Sequence, residues 1–561
     1  RDSALPASSR LGVCDEAKDD KETALSLSSR VCRYRANDAR NQFMSFAREH
    51  PDLLERKDLL VRDPTMLEKM LEQSISSETA DGRDRIEDER LSKVAVIHID
   101  GNGVGGIMRD LVSALKRIPR PDFEEEVRGA KDYSTATEED APSDAVRCFL
   151  LEINRRLKDA MQKSFLTAWL EVAFLAEKES EKEAKAHGKA KNEKRPDIGA
   201  IPVVPVILGG DDATVITDAT YALPFTEKFL TAFEEETGKD ALLKYLGPKS
   251  RQGIGGCAKS GSEDENAESA GENSERDSKN AESASEKQGG PMTAAAGVAI
   301  VPRKFPFHIA YDLAERLIKS AKALGKESEK ECSTLSFHVL FDSTVLDPDE
   351  LLRSYKSFTR RPFKVIAELD TEGRAKKRQS DASKEAAEGP HGRPALREHP
   401  AWKEMCERTA LFKGLKPAGG NEEPLAFPKT RAARIRKLQS DAAREEIASS
   451  AEQAQAKKQK SDEKIDAEWQ AAKGSSGELS NLLDAIGGPD LVFDLIELAD
   501  LLPQSYLEEL ERKETGQGGT ANQQNDEGQE GAVGKTDKAG KGNSDSTSGN
   551  GPAAASQEAR K

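Results

Sequence analysis

Two apolar runs, each stopping at glycine and aspartate, constrain this chain more than any other feature. Residues 93–106 read KVAVIHIDGNGVGG, and residues 203–217 read VVPVILGGDDATVIT. Val94, Val96, Ile97 and Ile99 predict a buried strand that delivers Asp100 at its end. Val203, Val204, Val206 and Ile207 predict a second strand. Gly209 and Gly210 make a tight turn, and Asp211 and Asp212 open the return strand 213–217, giving a β-hairpin with two carboxylates at its tip. With the two strands as neighbours, three carboxylates converge beside glycine backbone. That arrangement holds divalent cations against phosphates.

Outside these runs, core-forming material is thin. Of 561 residues, 36% are hydrophobic and 33% are charged, so much of the length lacks the apolar surface to offset the entropy of ordering. The apolar residues concentrate in 91–365. The net charge of −16 argues against a general nucleic-acid-binding face, while leaving room for a local cationic nucleotide pocket. Cys14, Cys32, Cys148, Cys257, Cys332 and Cys406 form no C-x-x-C pair, which speaks against zinc and for reduced thiols in a cytoplasmic protein. No apolar run is long enough to span a bilayer, so no membrane association is expected, and no signal peptide is visible. The first residue is Arg1 rather than Met, which leads us to expect a start further upstream.

Taken in order, 1–90 reads as a helical accessory region, with helical patterns at 41–49 and 64–73. A helix is expected at 105–116, followed by a polar loop containing DFEEEV and EEDAPSD. A long helix covers 143–177, with Ser143 as N-cap. After the hairpin come a helix at 224–236 and a disordered Ser/Glu/Asn/Gly-rich insertion at 250–290. A strand at 295–301, a helix at 306–325 with Gly325 as C-cap, a strand at 334–341 and a short helix after Pro348 complete the 91–365 domain. Residues 366–510 are mostly charged helix with an apolar helical patch at 479–510, and 511–561 is a disordered tail. The order strand–helix–helix–hairpin–helix–strand–helix–strand predicts an α+β fold. The expected form is a ferredoxin-like palm, an antiparallel sheet with helices on one face.

Several motifs weaken on inspection. Gly101, Gly103 and Gly106 fit the dinucleotide pattern G-x-G-x-x-G, but no second parallel strand follows within one βαβ unit. Asp100 and Asn102 fit the first positions of an EF-hand, but Val104 and Leu111 stand where oxygen ligands are required. GGDD alone reads equally as an ordinary hairpin turn. Its partner motif favours a site, because Asp-Gly-Asn-Gly after a buried strand costs stability unless backbone must approach something closely. His98 shares a face with Asp100 and reads as a packing or hydrogen-bonding residue. Lys319 and Lys322, three apart on a helix, read as a solvated stripe or as a phosphate contact.

The set IHIDGNGVG, LGGDDATVIT, GVAIVPRKFPFHIAYDLAERLIKSAK and STLSFHVL, in that order, resembles the polymerase-like palm of the type III CRISPR large subunit. The likeness is to that subunit's second palm, the one bearing GGDD. More distantly the set is similar to the GGDEF domain of nucleotide cyclases, although Asp212 stands where that pattern has Glu, which disfavours cyclic di-GMP. The resemblance covers about 91–365. No histidine is followed by aspartate, so the HD nuclease of the family is missing. One palm is present and no zinc module, so the chain resembles a stand-alone, single-palm relative.

The resemblance implies synthesis of a cyclic oligoadenylate from ATP as an antiviral second messenger, acting on defence effector proteins through the product. It implies Mg²⁺ or Mn²⁺ on Asp100, Asp211 and Asp212, which are then the catalytic residues. It places Gly101, Asn102, Gly103 and Gly105 in a phosphate loop, Gly209 and Gly210 beside it, and Lys322 on the triphosphate. Since both relatives bring two such domains together, a homodimer or a second palm protein is expected as partner. The alternatives are a non-catalytic nucleotide-binding module that serves in assembly, and a cyclase using GTP.

Overall fold

In the computed structural model of the chain, the described residues are 45, 93–127, 143–186, 202–248, 289–327, 331–340, 347–355, 359–365, 388–389, 393–394, 399–417, 423–448, 451–474 and 476–514. The accessory region 1–90, apart from Ser45, lies outside them. So do residues 250–288 of the expected insertion and the tail beyond 514. The chain divides at Leu510, and the unit described below is the one that ends there.

The centre is a six-stranded sheet. Its strands are β1 (Lys93–Gly101), β2 (Val203–Leu208), β3 (Asp212–Asp218), β4 (Ala294–Pro302), β5 (Ser333–Val339) and β6 (Phe363–Val365), in the order β2-β3-β1-β4-β5-β6. β1 runs antiparallel to both β3 and β4, β4 runs parallel to β5, and β5 antiparallel to β6. The fold is therefore mixed α/β, and the expectation of a purely antiparallel sheet is corrected at β4–β5. The cause is the helix between them, Phe307–Glu327. It carries the chain back along the sheet, so β5 must enter in the same direction as β4.

Helices also cover both faces, not one. Strand parity shows why. Ala95, Ile97, Ile99, Ala296, Val298 and Ile300 join a core with the long helices 143–186 and 219–239. Val96, Ala299 and Val301 join a second core with Ala310, Leu313 and Leu317. With apolar side chains on both sides, one helical layer would leave half of them wet.

The helices before the hairpin are α1 (Val104–Arg109), α2 (Leu111–Arg117), α3 (Arg120–Glu126) and α4 (Ser143–Ala186). The single helix expected at 105–116 is broken at Asp110, whose carboxylate accepts from the Ser113 N–H at 3.0 Å and so starts a new helix. DFEEEV, expected in a loop, lies in α3 up to its Val127 cap. It is anchored by Phe123, fully buried against Phe149 of α4, and by the buried Val127, and Arg156 binds Glu126 at 2.6 Å. The end of α4 reaches past the expected stop because Lys178 and Lys182 pair with Glu509 and Glu508 at 2.5 and 2.9 Å.

After the hairpin come α5 (Ala219–Lys239), α6 (Phe307–Glu327) and α7 (Pro348–Tyr355). Asp218 caps α5 by accepting from the Thr220 N–H at 2.8 Å. Gly325 does not cap α6, which continues to Glu327. A Cβ there would lie 3.2 Å from the Cys332 carbonyl oxygen, so the glycine serves the close approach of the chain entering β5. α6 itself lies tight on β4. A Cβ on Gly297 would lie 2.1 Å from the Ala314 carbonyl oxygen and 2.9 Å from the Ile318 nitrogen.

The chain leaves at Gly247 and returns at Gly290, where the Gly247 N–H donates to the Gly290 carbonyl at 3.2 Å. The expected insertion thus starts and ends at one neck.

Beyond the sheet are α8 (Trp402–Lys413), α9 (Lys429–Ala448), α10 (Ala451–Lys473), α11 (Gly477–Ile486), α12 (Val492–Leu501) and α13 (Gln504–Glu514). The apolar patch at 479–510 is spent within the chain. Leu482, Leu483, Ile486, Leu495 and Leu498 are buried in the core that includes the sheet. A buried ion network fixes the join. Arg361, stacked on Phe337, donates to Asp494 at 2.9 Å and to Glu497 at 2.5 Å.

The two sheet edges are short and irregular. β2 contains Pro205, and its register shifts between Pro205 and Ile207. β6 has three residues, and the Lys364 N–H donates to the Pro400 carbonyl at 3.3 Å.

Candidate metal and nucleotide site

The site forms where β1, the β2–β3 turn and α6 meet. Asp100 is the last side chain of β1 before glycine, and it stands opposite Asp212, the first residue of β3. Asp211 lies in the turn, one residue short of the strand. Its carbonyl accepts from the Gly101 N–H at 2.9 Å, which pins the turn to the end of β1. Asp100, Asp211 and Asp212 each offer one oxygen such that all three atoms lie within 4.8 Å of one another.

Lys322 reaches this cluster from α6, with its Nζ 2.5 Å from an Asp100 oxygen. Lys319 instead pairs with Glu315 at 3.7 Å on the exposed side of the helix. Of the two readings of this lysine pair, the solvated one describes Lys319 and a site contact describes Lys322.

The electrostatics are unbalanced. Partial burial, then the Asp212 and Asp100 carboxylates, raise the Asp211 pKa against a smaller pull from Lys322. Partial burial and Asp100 raise that of Asp212 against His98 and Lys322. Three carboxylates share one lysine, so a hard divalent cation would complete the charge balance, and an all-carboxylate donor set open to water suits Mg²⁺ or Mn²⁺.

The glycines differ in use. Gly103 has φ of 83°, a left-handed conformation that starts α1. Gly101 and Asn102 spend their N–H groups inside the protein, on Asp211 and Thr293. Asn102 also donates through Nδ2 to Thr293 Oγ1 at 2.9 Å, clamping the loop to the lead-in of β4. Gly105 and Gly210 face open space, where a Cβ would meet nothing within 4 Å. Gly209 donates to the Asp212 carbonyl at 2.8 Å and closes the turn. Of the expected phosphate loop, then, Gly103 and Gly105 lie at the open side, while Gly101 and Asn102 are structural.

His98 behaves as a packing residue. Its Nδ1 lies 3.1 Å from Thr214 Oγ1, and its ring lies 5.1 Å from that of Tyr311. It locks β1, β3 and α6 together behind the carboxylates.

Two residues that position the site escape sequence reasoning. Thr293 anchors Asn102, and nothing in its local pattern announces it. Gly297 lets α6, and with it Lys322, approach the sheet. A glycine inside the strand run AAGVAIV is the signal that could have found it.

No family model and no curated protein matches the chain. The functional reading therefore stands on the site itself. Among the described residues no helix is long and apolar enough to cross a membrane, and Asp100, Asp211 and Asp212 form the one carboxylate cluster suited to a metal ion.

Proposed function

We propose that this chain is a metal-dependent nucleotidyltransferase with a polymerase-like palm, which joins ATP into a cyclic oligoadenylate-type messenger for antiviral signalling. The observation that carries the reading is the convergence of Asp100, Asp211 and Asp212 within 4.8 Å, with Lys322 on Asp100. In each transfer the 3′-hydroxyl of one nucleotide attacks the α-phosphorus of the next. A P–O bond forms, the α–β anhydride breaks and pyrophosphate leaves.

Asp100, Asp211 and Asp212 would hold Mg²⁺ or Mn²⁺. When bound, such ions lower the pKa of the hydroxyl and stabilise charge on the attacking and leaving oxygens. Lys322 neutralises Asp100 in the free protein and supplies a point charge for the triphosphate in the complex. Gly103, Gly105 and Gly210 keep the phosphate side free of Cβ atoms. Because the sequence carries one GGDD motif and no second copy to face it, the active form would be a homodimer or a pair with another palm protein.

One observation favours a second reading. Lys322 occupies the Asp100 carboxylate, as in a module that binds nucleotide without turning it over. Labelled ATP with Mn²⁺ separates the two, with GTP offered alone in parallel. Oligonucleotide product and pyrophosphate are expected from ATP, and Asp211→Ala with Asp212→Ala should abolish product with an unchanged circular-dichroism spectrum. Nucleotide binding without product under every condition would establish the binding module.

A further inference from the structure

α6 divides its face of the sheet in two. Lys322 and Tyr311 meet Asp100 and His98 of β1, while Leu317, Ser320 and Leu324 line a cavity on the other flank. This cavity, of about 740 Å³, opens between α6, β5, α7 and residues 359–362. Its size is within the range of small-molecule sites.

The lining is chemically sorted. Leu317, Leu324, Leu352 and Tyr355 supply apolar and aromatic walls. His338 lines it from β5 and is 3% exposed, yet its Nε2 has no hydrogen-bond partner. A buried, unpaired polar atom costs stability unless something completes it. Burial and the nearby Arg361 charge push the His338 pKa down to about 3. The imidazole is therefore neutral, suited to the uncharged hydrogen-bonding edge of a heterocycle rather than to an anion. Arg353 and Arg360 also line the cavity. Arg361 is already committed to Asp494 and Glu497. Arg360 shares itself with Asp490 at 3.1 Å, and Arg353 donates through Nε to the Asp349 carbonyl at 3.2 Å. Guanidinium groups at the edge of an apolar slot suit a phosphate monoester.

We propose that this cavity is a second ligand site for a purine nucleoside monophosphate, its base edge on His338, its ring between the apolar walls and its phosphate toward Arg353 and Arg360. The site is separate from the carboxylate cluster and stands whether or not that cluster is catalytic.

The test is calorimetric titration of the full chain with AMP in EDTA, where metal-dependent binding is suppressed. One site per chain is expected. His338→Leu should weaken it about tenfold or more. Ser320→Phe fills the cavity from an exposed position and should abolish binding with little change in melting temperature. Arg353→Gln should weaken AMP about fivefold and leave adenosine unchanged. Absence of AMP binding to the wild type would overturn the proposal, as would binding that survives both His338→Leu and Ser320→Phe. Binding lost in Asp211→Asn but kept in His338→Leu would move the nucleotide to the carboxylates, with the same result. Adenosine binding as tightly as AMP would remove the phosphate from the assignment and overturn the monophosphate class.

Discussion

Asp100 and Asp212 face each other across β1 and β3, so one cross-strand position of the sheet holds two like charges. Such pairs are destabilising, and Asp211 adds a third carboxylate within 4.8 Å. Lys322 offsets one charge. Three carboxylates thus stand against one lysine in the free protein, a repulsion that protonation, substitution or a bound cation would relieve.

That repulsion has a pH sign. Asp211 and Asp212 both have raised pKa values, through partial burial and their acidic neighbours. A carboxyl raised in the folded state contributes stability that is complete below its unfolded pKa and is lost as pH rises through the folded one. Asp211→Asn with Asp212→Asn should therefore melt above the wild type at pH 7 in EDTA, by about 2–4 °C for each kcal/mol relieved. The gap should close as pH falls below about 4. Saturating Mg²⁺ should close it at pH 7 by stabilising the wild type alone. A wild type that melts at or above the variant at pH 7 without metal contradicts this account.

Lys322 pairs with Asp100, so in the proposed reaction it would compete with a cation there and yet serve the triphosphate. Lys322→Met should accordingly split two affinities. Mn²⁺ binding, read by electron paramagnetic resonance, should tighten, while ATP binding should weaken by about tenfold for the lost point charge. A variant in which both weaken together would mean that the lysine only props the site.

Gly297 is the contact on which α6 sits. Gly297→Val would drive a side chain into the backbone of Ala314 and Ile318, costing about 3 kcal/mol by overpacking. Chemical denaturation measures the loss. Mn²⁺ affinity should fall less than ATP affinity, because the carboxylates stand on strands while Lys322 moves with the helix.

The parts of the fold that are legible in the sequence are those whose apolar pattern is local. β1, the hairpin, α6 and β5 each carry enough apolar residues at period 2 or 3.6 to announce themselves. The carboxylate cluster is legible because two apolar runs each end in aspartate beside glycine, although GGDD alone reads equally as a turn. α3 is short and charged, with Phe123 packed on the distant Phe149, and β6 is only three residues long, so neither has room to show a period of its own. The parallel pairing of β4 and β5 also escapes, since strand direction depends on where α6 returns the chain. Gly325 misleads because a glycine near a helix end signals a cap equally well as a close approach.

The neck at Gly247 and Gly290 makes the intervening segment removable. Its ends are already joined by a hydrogen bond of 3.2 Å, so a short Gly-Ser linker spans them at little entropic cost. Replacing 250–288 in this way should leave melting temperature and Mn²⁺ affinity within experimental error of the wild type. A large drop in either would mark the segment as part of the site.

The edges of the sheet bear on how two such molecules could meet. At β2, Pro205 offers no N–H and the register shift interrupts the regular spacing of backbone groups. At β6, three residues and the Lys364–Pro400 bond leave no run to template. Two copies paired as proposed would therefore meet through side-chain surfaces and not by extending one sheet into the next. Contacts of that kind could be made and broken as nucleotide loads and leaves, so in the proposed reaction the same molecules would pair for a transfer and part after it.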